Sequence, residues 1–381
     1  MLKKIPIVLF VEVHGNMNPK LNSTVSVVKI SESLLEFFKT NTRQQIHIRV
    51  KDYTIMNIIN ELDGSKTIDE LSVKYAVKKA DLINLLTYLR KKGILDNVEN
   101  IQEFRDYERF RRSIHFLAEY STSHENLLEM WNNISEATVL VVGLGAVGSW
   151  VSANLVQSGV GNIILMDADI VEVTNLHRQF GYNEDDIGKK KIDVLEKRLQ
   201  QYNPRLKVIK SESYLDETSL HKFDNIKIDL IINCADKPNV DTTSLWIGQY
   251  AMSRNIPHII GGGYNLHLSL IGQTVIPGRT ACVNCFRKKL EEENKIDPKK
   301  VKKLAVKNRK VGSFGPMCSM IASMVGMEAI KILSKQIVPA NINRRGEFNI
   351  YTMELQYKTY ERRKDCEWCG ENGKYYHLSC E

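Results

Sequence analysis

Two short runs of apolar, mostly β-branched residues, 139–142 and 163–166, bracket a stretch where Val151, Leu155 and Val156 share one helical face. Runs of that length, unbroken rather than alternating, predict strands buried on both sides. Further runs stand at 206–208, 228–236 and 258–260, and Ile192, Leu195 and Leu199 mark another helical face. Strands alternating with helices at this spacing predict an α/β fold, a doubly wound Rossmann-like sheet. After residue 268 the pattern loosens into strands at 268–275 and 348–353 around a long helical stretch, 319–333.

The first hundred residues follow a different rhythm. Strands at 5–13 and 24–30 are predicted around a turn at His14-Gly15-Asn16. Ile55, Ile58, Ile59 and Leu62 form a first helical face that stops at Asp63-Gly64. Thr67 and Glu70 have the spacing of a capping box, and Ile68, Leu71 and Tyr75 follow as a second face. Leu82, Leu85, Leu86 and Leu89 make a third, closed by Lys91, Lys92 and Gly93. This predicts a small winged-helix-like α+β domain over 1–100, then a linker at 97–106 and a second domain over 101–381. A basic segment at 107–114, containing Arg112, reads as a surface helix.

Composition changes little in this picture. Apolar residues make up 43% and charged ones 26%, ordinary values for a globular protein. No stretch of about 18 uncharged apolar residues occurs, so no membrane span is expected. The basic, briefly apolar N-terminus lacks a small-residue cleavage site, and a cytoplasmic location is expected. The net charge of +8 is concentrated: 295–310 carries seven Lys and one Arg against one Asp. That stretch reads either as a solvated loop or as a flap that attracts anions, with Arg309 and Lys310 at its end. Nucleic acid is not an expected partner, because no reader motif or interleaved aromatics accompany the charge.

The chemistry starts where the first run ends. Gly143-x-Gly145-x-x-Gly148 follows a strand and opens a helix, and the next run ends in Asp167. Gly143 permits the turn, Gly145 lets phosphate near the backbone, and Gly148 lets helix and strand pack closely, with the helix's positive end facing the ligand. Taken alone, this motif suits a dinucleotide as well as ATP. Asp236 likewise ends the run at 228–236, at the strand edge where such sheets bind ligands.

Seven cysteines occur, and four form the pairs Cys282-x-x-Cys285 and Cys366-x-x-Cys369. Two such pairs predict a closed tetrahedral zinc site with a structural role, with a redox pair as the alternative. Cys234 reads as core, Cys380 as a free thiol in the tail, and Cys318, at the start of the long helix, as a buried small side chain.

These motifs, with Asp167-x-Asp169, Asn175-Leu-x-Arg178-Gln179 and Gly188-x-x-Lys191, resemble the ThiF/MoeB/HesA family of adenylating enzymes, relatives of the ubiquitin-activating enzyme. The resemblance spans about 110–370. It implies MgATP-dependent adenylation of a C-terminal carboxylate with release of pyrophosphate. It further implies ATP contacts from Gly143, Gly145, Gly148, Asp167, Asp169, Asn175 and Gln179, with Asp167 on the ribose. Arg178, Lys191 and Asp236 would be catalytic, Asp236 also holding Mg²⁺, and Arg112 would act in trans within a homodimer. Residues 61–95 resemble a PqqD-like peptide-recognition domain, for which a DNA-binding winged helix is the alternative. Together the two domains look most like the branch that adenylates microcin C-type precursor peptides. That makes a short ribosomal peptide the expected partner, with a ubiquitin-like sulfur carrier or non-catalytic leader-peptide binding as alternatives. Residues 286–314 lack the cysteine that thioester-forming members carry, so thioester transfer is not expected.

Overall fold

The computed structural model describes residues 17–50, 53–265, 268–293 and 312–376, excluding the side chains of 263–271. The expected strand at 5–13, the turn after it, the basic stretch 295–310 and Cys380 lie outside these residues. The chain divides into two compact units between Trp131 and Asn132.

In the first unit, β1 (Val25–Ser31), β2 (Leu34–Lys39) and β3 (Gln44–Arg49) form an antiparallel sheet in that order. β2 and β3 escaped the sequence reading because each turns only one or two large apolar residues inward, Leu35 and Phe37 from β2 and Ile46 from β3. Three helices follow, α1 (Tyr53–Asn60), α2 (Ile68–Lys74) and α3 (Lys79–Lys91). The capping box forms: Thr67 Oγ1 accepts from Glu70 N at 3.2 Å, and Glu70 Oε2 accepts from Thr67 N at 2.7 Å. Ile59, Ile68, Leu71, Leu86 and Leu89 then close over Phe37.

The stretch 97–106 is structured rather than a loose linker. A 3-10 turn at Ile101–Glu103 sets Phe104 edge-on to His124, and Trp131 donates to the Arg105 carbonyl at 3.0 Å. The basic segment becomes α4 (Tyr107–Ala118), which buries Phe110, Ile114 and Leu117 and leaves Arg112 exposed; α5 (His124–Ser135) follows.

The second unit is built on a six-stranded sheet. Its strands β4 (Thr138–Val142), β5 (Asn162–Met166), β6 (Lys207–Ser211), β7 (Leu230–Asn233) and β8 (His258–Ile260) run parallel in the order β6-β5-β4-β7-β8. The helices α6 (Ala146–Gln157), α7 (Lys191–Tyr202) and α8 (Val240–Ser253) connect them. A second sheet pairs β9 (Gly263–Asn265) with β10 (Leu268–Ile271), then β12 (Arg344–Asn349) and β13 (Glu354–Thr359), while β11 (Thr274–Val275) edges the main sheet. The expected strand at 348–353 is thus a hairpin: pairing stops at Asn349 and Met353 takes φ 58° in the turn.

Following α9 (Val283–Glu293), α10 (Gly315–Ser334) starts four residues earlier than its apolar pattern, with proline in its first turn. Among the described residues it is the one helix long and apolar enough to cross a membrane. It packs instead against α6, where a Cβ on Gly326 would stand 3.1 Å from the Asn154 Cβ. Cys318 is fully buried within it.

His258 on β8 is also fully buried, and burial lowers its pKa to about 4. It stays neutral when folded, whereas the unfolded chain takes up its proton below the usual 6.5. Its contribution to stability is therefore complete above that value and is lost as pH falls toward 4, by about 3 kcal/mol. His258→Gln should flatten that part of the profile in urea unfolding from pH 7 to 4.5. Parallel profiles for the two proteins would refute this assignment.

Candidate active site and metal centre

The order β6-β5-β4-β7-β8 reverses direction at β4, which has β5 on one side and β7 on the other. A cavity of about 350 Å³ opens at this switch point, lined by the carboxyl ends of these strands. Each glycine of the turn has its own reason. Gly143 takes φ +86°, and a Cβ there would meet the Ala235 nitrogen at 2.8 Å. A Cβ on Gly148 would sit 1.8 Å from the Gly143 carbonyl oxygen. Gly145 faces open space and, with Ala146 and Val147, lines the cavity, so the first turn of α6 presents N–H groups to it. Gly148→Ala must push α6 away from β4, at a cost of about 3 kcal/mol. An unchanged urea midpoint in this variant would contradict the close packing.

Asp167 pins the turn: Oδ2 accepts from Leu144 N at 2.6 Å and Oδ1 from Asp169 N at 2.7 Å. Asp169 gathers three donors, Tyr214 Oη at 2.7 Å, Lys237 Nζ at 3.0 Å and Lys191 Nζ at 3.2 Å. Burial works against its ionisation, but the hydrogen bonds from Tyr214 and Lys237 and the Lys191 charge outweigh burial and hold its pKa at about 2. Lys191, the first residue of α7, is 4% exposed. Asp236 stands exposed just beyond β7, on the cavity wall. Cys234, two residues before it, also lines the cavity, and burial of its sulfur pushes the thiol up to about 12.

The remaining residues of the ATP motif lie elsewhere in the unit. Asn175 Oδ1 accepts from Glu172 N at 3.0 Å in a short 3-10 turn. Arg178 Nη1 donates to the Thr174 carbonyl and approaches His177 Nε2 at 3.1 Å. This segment packs on α6, where Trp150 Nε1 donates to the Arg178 carbonyl at 3.1 Å. Arg178 Nε and Gln179 Oε1 are buried there without a hydrogen-bond partner. None of Asn175, Arg178, Gln179 and Lys191 lines the cavity. Sequence reasoning missed Tyr214 and Lys237, which do; Lys237 is signalled only by following Asp236, and Tyr214 by nothing.

Cys282 and Cys285, at the start of α9, meet Cys366 and Cys369 from the C-terminal tail. The four buried sulfurs all lie within 4.8 Å of one another, with Sγ–Sγ separations of 3.8, 3.6 and 3.4 Å among them. Tetrahedral zinc with bonds near 2.3 Å needs separations of about 3.8 Å, so the cluster fits that ion. Asn284 Nδ2 lies 3.6 Å from the Cys366 sulfur, and Arg362 Nε donates to the Cys369 carbonyl at 2.8 Å. Four protein ligands would leave a bound zinc no open position for substrate, which suits a structural rather than a catalytic ion.

The family model for ThiF matches residues 122–369, from just before the Rossmann-like sheet to the last of the four cysteines. The chain belongs to the ThiF family. The ThiF-family molybdopterin-synthase adenylyltransferase of Escherichia coli (strain K12) is 27% identical over 241 residues, covering 62% of this chain and 89% of that one. The sulfur carrier protein ThiS adenylyltransferase of the same strain is 25% identical over 269 residues, covering 70% and 96%. Among solved structures, E. coli MccB with ATP aligns with a TM-score of 0.70 at 22% identity, covering 92% of this chain and 99% of that one. MccB in complex with N-formylated MccA aligns at 0.69. The fold is thus the mixed α/β, Rossmann-like fold of MccB, and this ThiF-family chain is an adenylyltransferase of an ATP-using family.

Proposed function

We propose that this protein adenylates the C-terminal carboxylate of a short ribosomally made precursor peptide, using MgATP and releasing pyrophosphate. One observation carries the choice of a peptide. The molybdopterin-synthase relative covers 62% of the chain, whereas the MccB fold covers 92%. Residues 132–381 are only about two thirds of the chain, so the MccB likeness runs through the N-terminal unit as well. Its first part, read as a PqqD-like recognition domain over 1–100, then has a purpose: it holds the peptide.

In this reading a carboxylate oxygen attacks the α-phosphorus, the bond from that phosphorus to the bridging oxygen breaks, and pyrophosphate leaves. Two anions must approach, so fixed positive charge is required. The first turn of α6 supplies part of it, and Asp167 takes the ribose. Asp236, an exposed carboxylate on the cavity wall, would be the residue that holds Mg²⁺. Mg²⁺, when bound, neutralises charge on the phosphates. Arg178 reaches phosphate by leaving Thr174 and His177. Arg112, exposed on α4, serves the partner subunit of a homodimer.

The relatives named as molybdopterin-synthase and sulfur-carrier adenylyltransferases favour a second reading, a ubiquitin-like sulfur carrier as substrate. ATP–pyrophosphate exchange decides between them. Short peptides encoded beside the gene should support exchange, and carriers ending in Gly-Gly should not. Exchange driven by the carriers alone would sink the peptide reading.

A further inference from the structure

Among the described residues, the charged ones lining the cavity are three acids, Asp167, Asp169 and Asp236, and a single cation, Lys237. A triphosphate entering such a cavity needs a cation from its walls, and even its magnesium complex is an anion. Lys191 is pinned at 4% exposure and outside the lining, whereas the Lys237 side chain is 63% exposed. Its long flexible stem lets the ammonium move without the backbone.

Lys237 is also placed across the crevice rather than beside it. It follows β7 and Tyr214 follows β6, with β4 and β5 between those strands. Three strand spacings separate them, about 14 Å. Yet both reach Asp169 Oδ1, and the Lys237 ammonium sits 4.9 Å from the centre of the Tyr214 ring. The pair therefore spans the carboxyl edge of β4 and β5, where Gly143 and Asp167 await a nucleotide.

We propose that Lys237 is a further nucleotide-binding residue, held on Asp169 and Tyr214 in this structure and turning onto the phosphates when MgATP enters. Asp169 is its parking acceptor and Tyr214 its rest. The exchange is one ion pair for another: Asp169 keeps Lys191 and Tyr214, and Lys237 gains phosphate oxygens.

The inference rests on the ATP chemistry of the proposed function and needs no peptide to be tested. Calorimetric titration of the full-length protein with MgATP and with adenosine separates the possibilities. Lys237→Ala should weaken MgATP about tenfold while leaving adenosine affinity unchanged, and Lys237→Arg should recover part of the loss. Raising the salt should narrow the gap between wild type and Lys237→Ala. Wild-type affinity for MgATP in Lys237→Ala, or equal losses for MgATP and adenosine, would overturn the assignment while leaving the adenylation reading standing. A wild-type protein that binds no MgATP would overturn both.

Discussion

Replacing Asp236 by alanine should lower ATP–pyrophosphate exchange by about 10³-fold and leave the melting temperature nearly unchanged. The two halves of that expectation have separate causes. The side chain is exposed at the end of β7, so removing it opens no cavity in the core. It also lines the cavity together with Gly143 and Gly145, and in the proposed function its carboxylate would hold Mg²⁺ there. Asp236→Asn keeps the shape and removes the charge, and it should lose nearly as much activity. Titrating Mg²⁺ in exchange assays supplies the control: the Asn variant should need far more metal for its residual rate. Exchange within a few-fold of wild type in both variants would remove Asp236 from the chemistry.

Removing zinc should have the largest effect on stability. A closed four-cysteine site contributes on the order of 10 kcal/mol of apparent folding free energy at neutral pH. Here the four thiols join α9 to a tail that begins beyond β13, and Tyr360 and Tyr375 pack in the same cluster as the cysteines. Cys366→Ser, or stripping the metal with a strong chelator, should therefore lower the melting temperature by roughly 20 °C. The tail beyond Tyr360 should become the first site of proteolysis. Elemental analysis should find one zinc per chain in the wild type and none in the variant. A metal-free wild type with an unchanged melting temperature would instead make the cluster a set of buried thiols.

Much of the candidate site is legible in the sequence alone. The glycine turn, the strand-end acids and the paired cysteines each depend on backbone geometry over a few residues, and residue type reports that directly. Gly148 is the clearest case, since only hydrogen fits 1.8 Å from a carbonyl oxygen. Other features left weak traces. β2 and β3 bury too few large side chains to show a period, and Phe104 turns an apparently polar linker into packed structure. Asn175, Arg178 and Gln179 are spaced as the family has them; in the structure Asn175 and Arg178 engage local turns, and none of the three lines the cavity.

By itself, then, the sequence determined the Rossmann-like sheet, the glycine turn, the paired cysteines and the family, because these follow from short-range pattern and spacing. Tertiary structure alone decided which charges share the cavity. Asp169, Tyr214 and Lys237 come from the ends of three different strands, and their meeting depends on sheet order, which no local pattern encodes. The tail's return to α9 has the same origin: 80 residues separate Cys285 from Cys366, and folding brings them within a metal's reach.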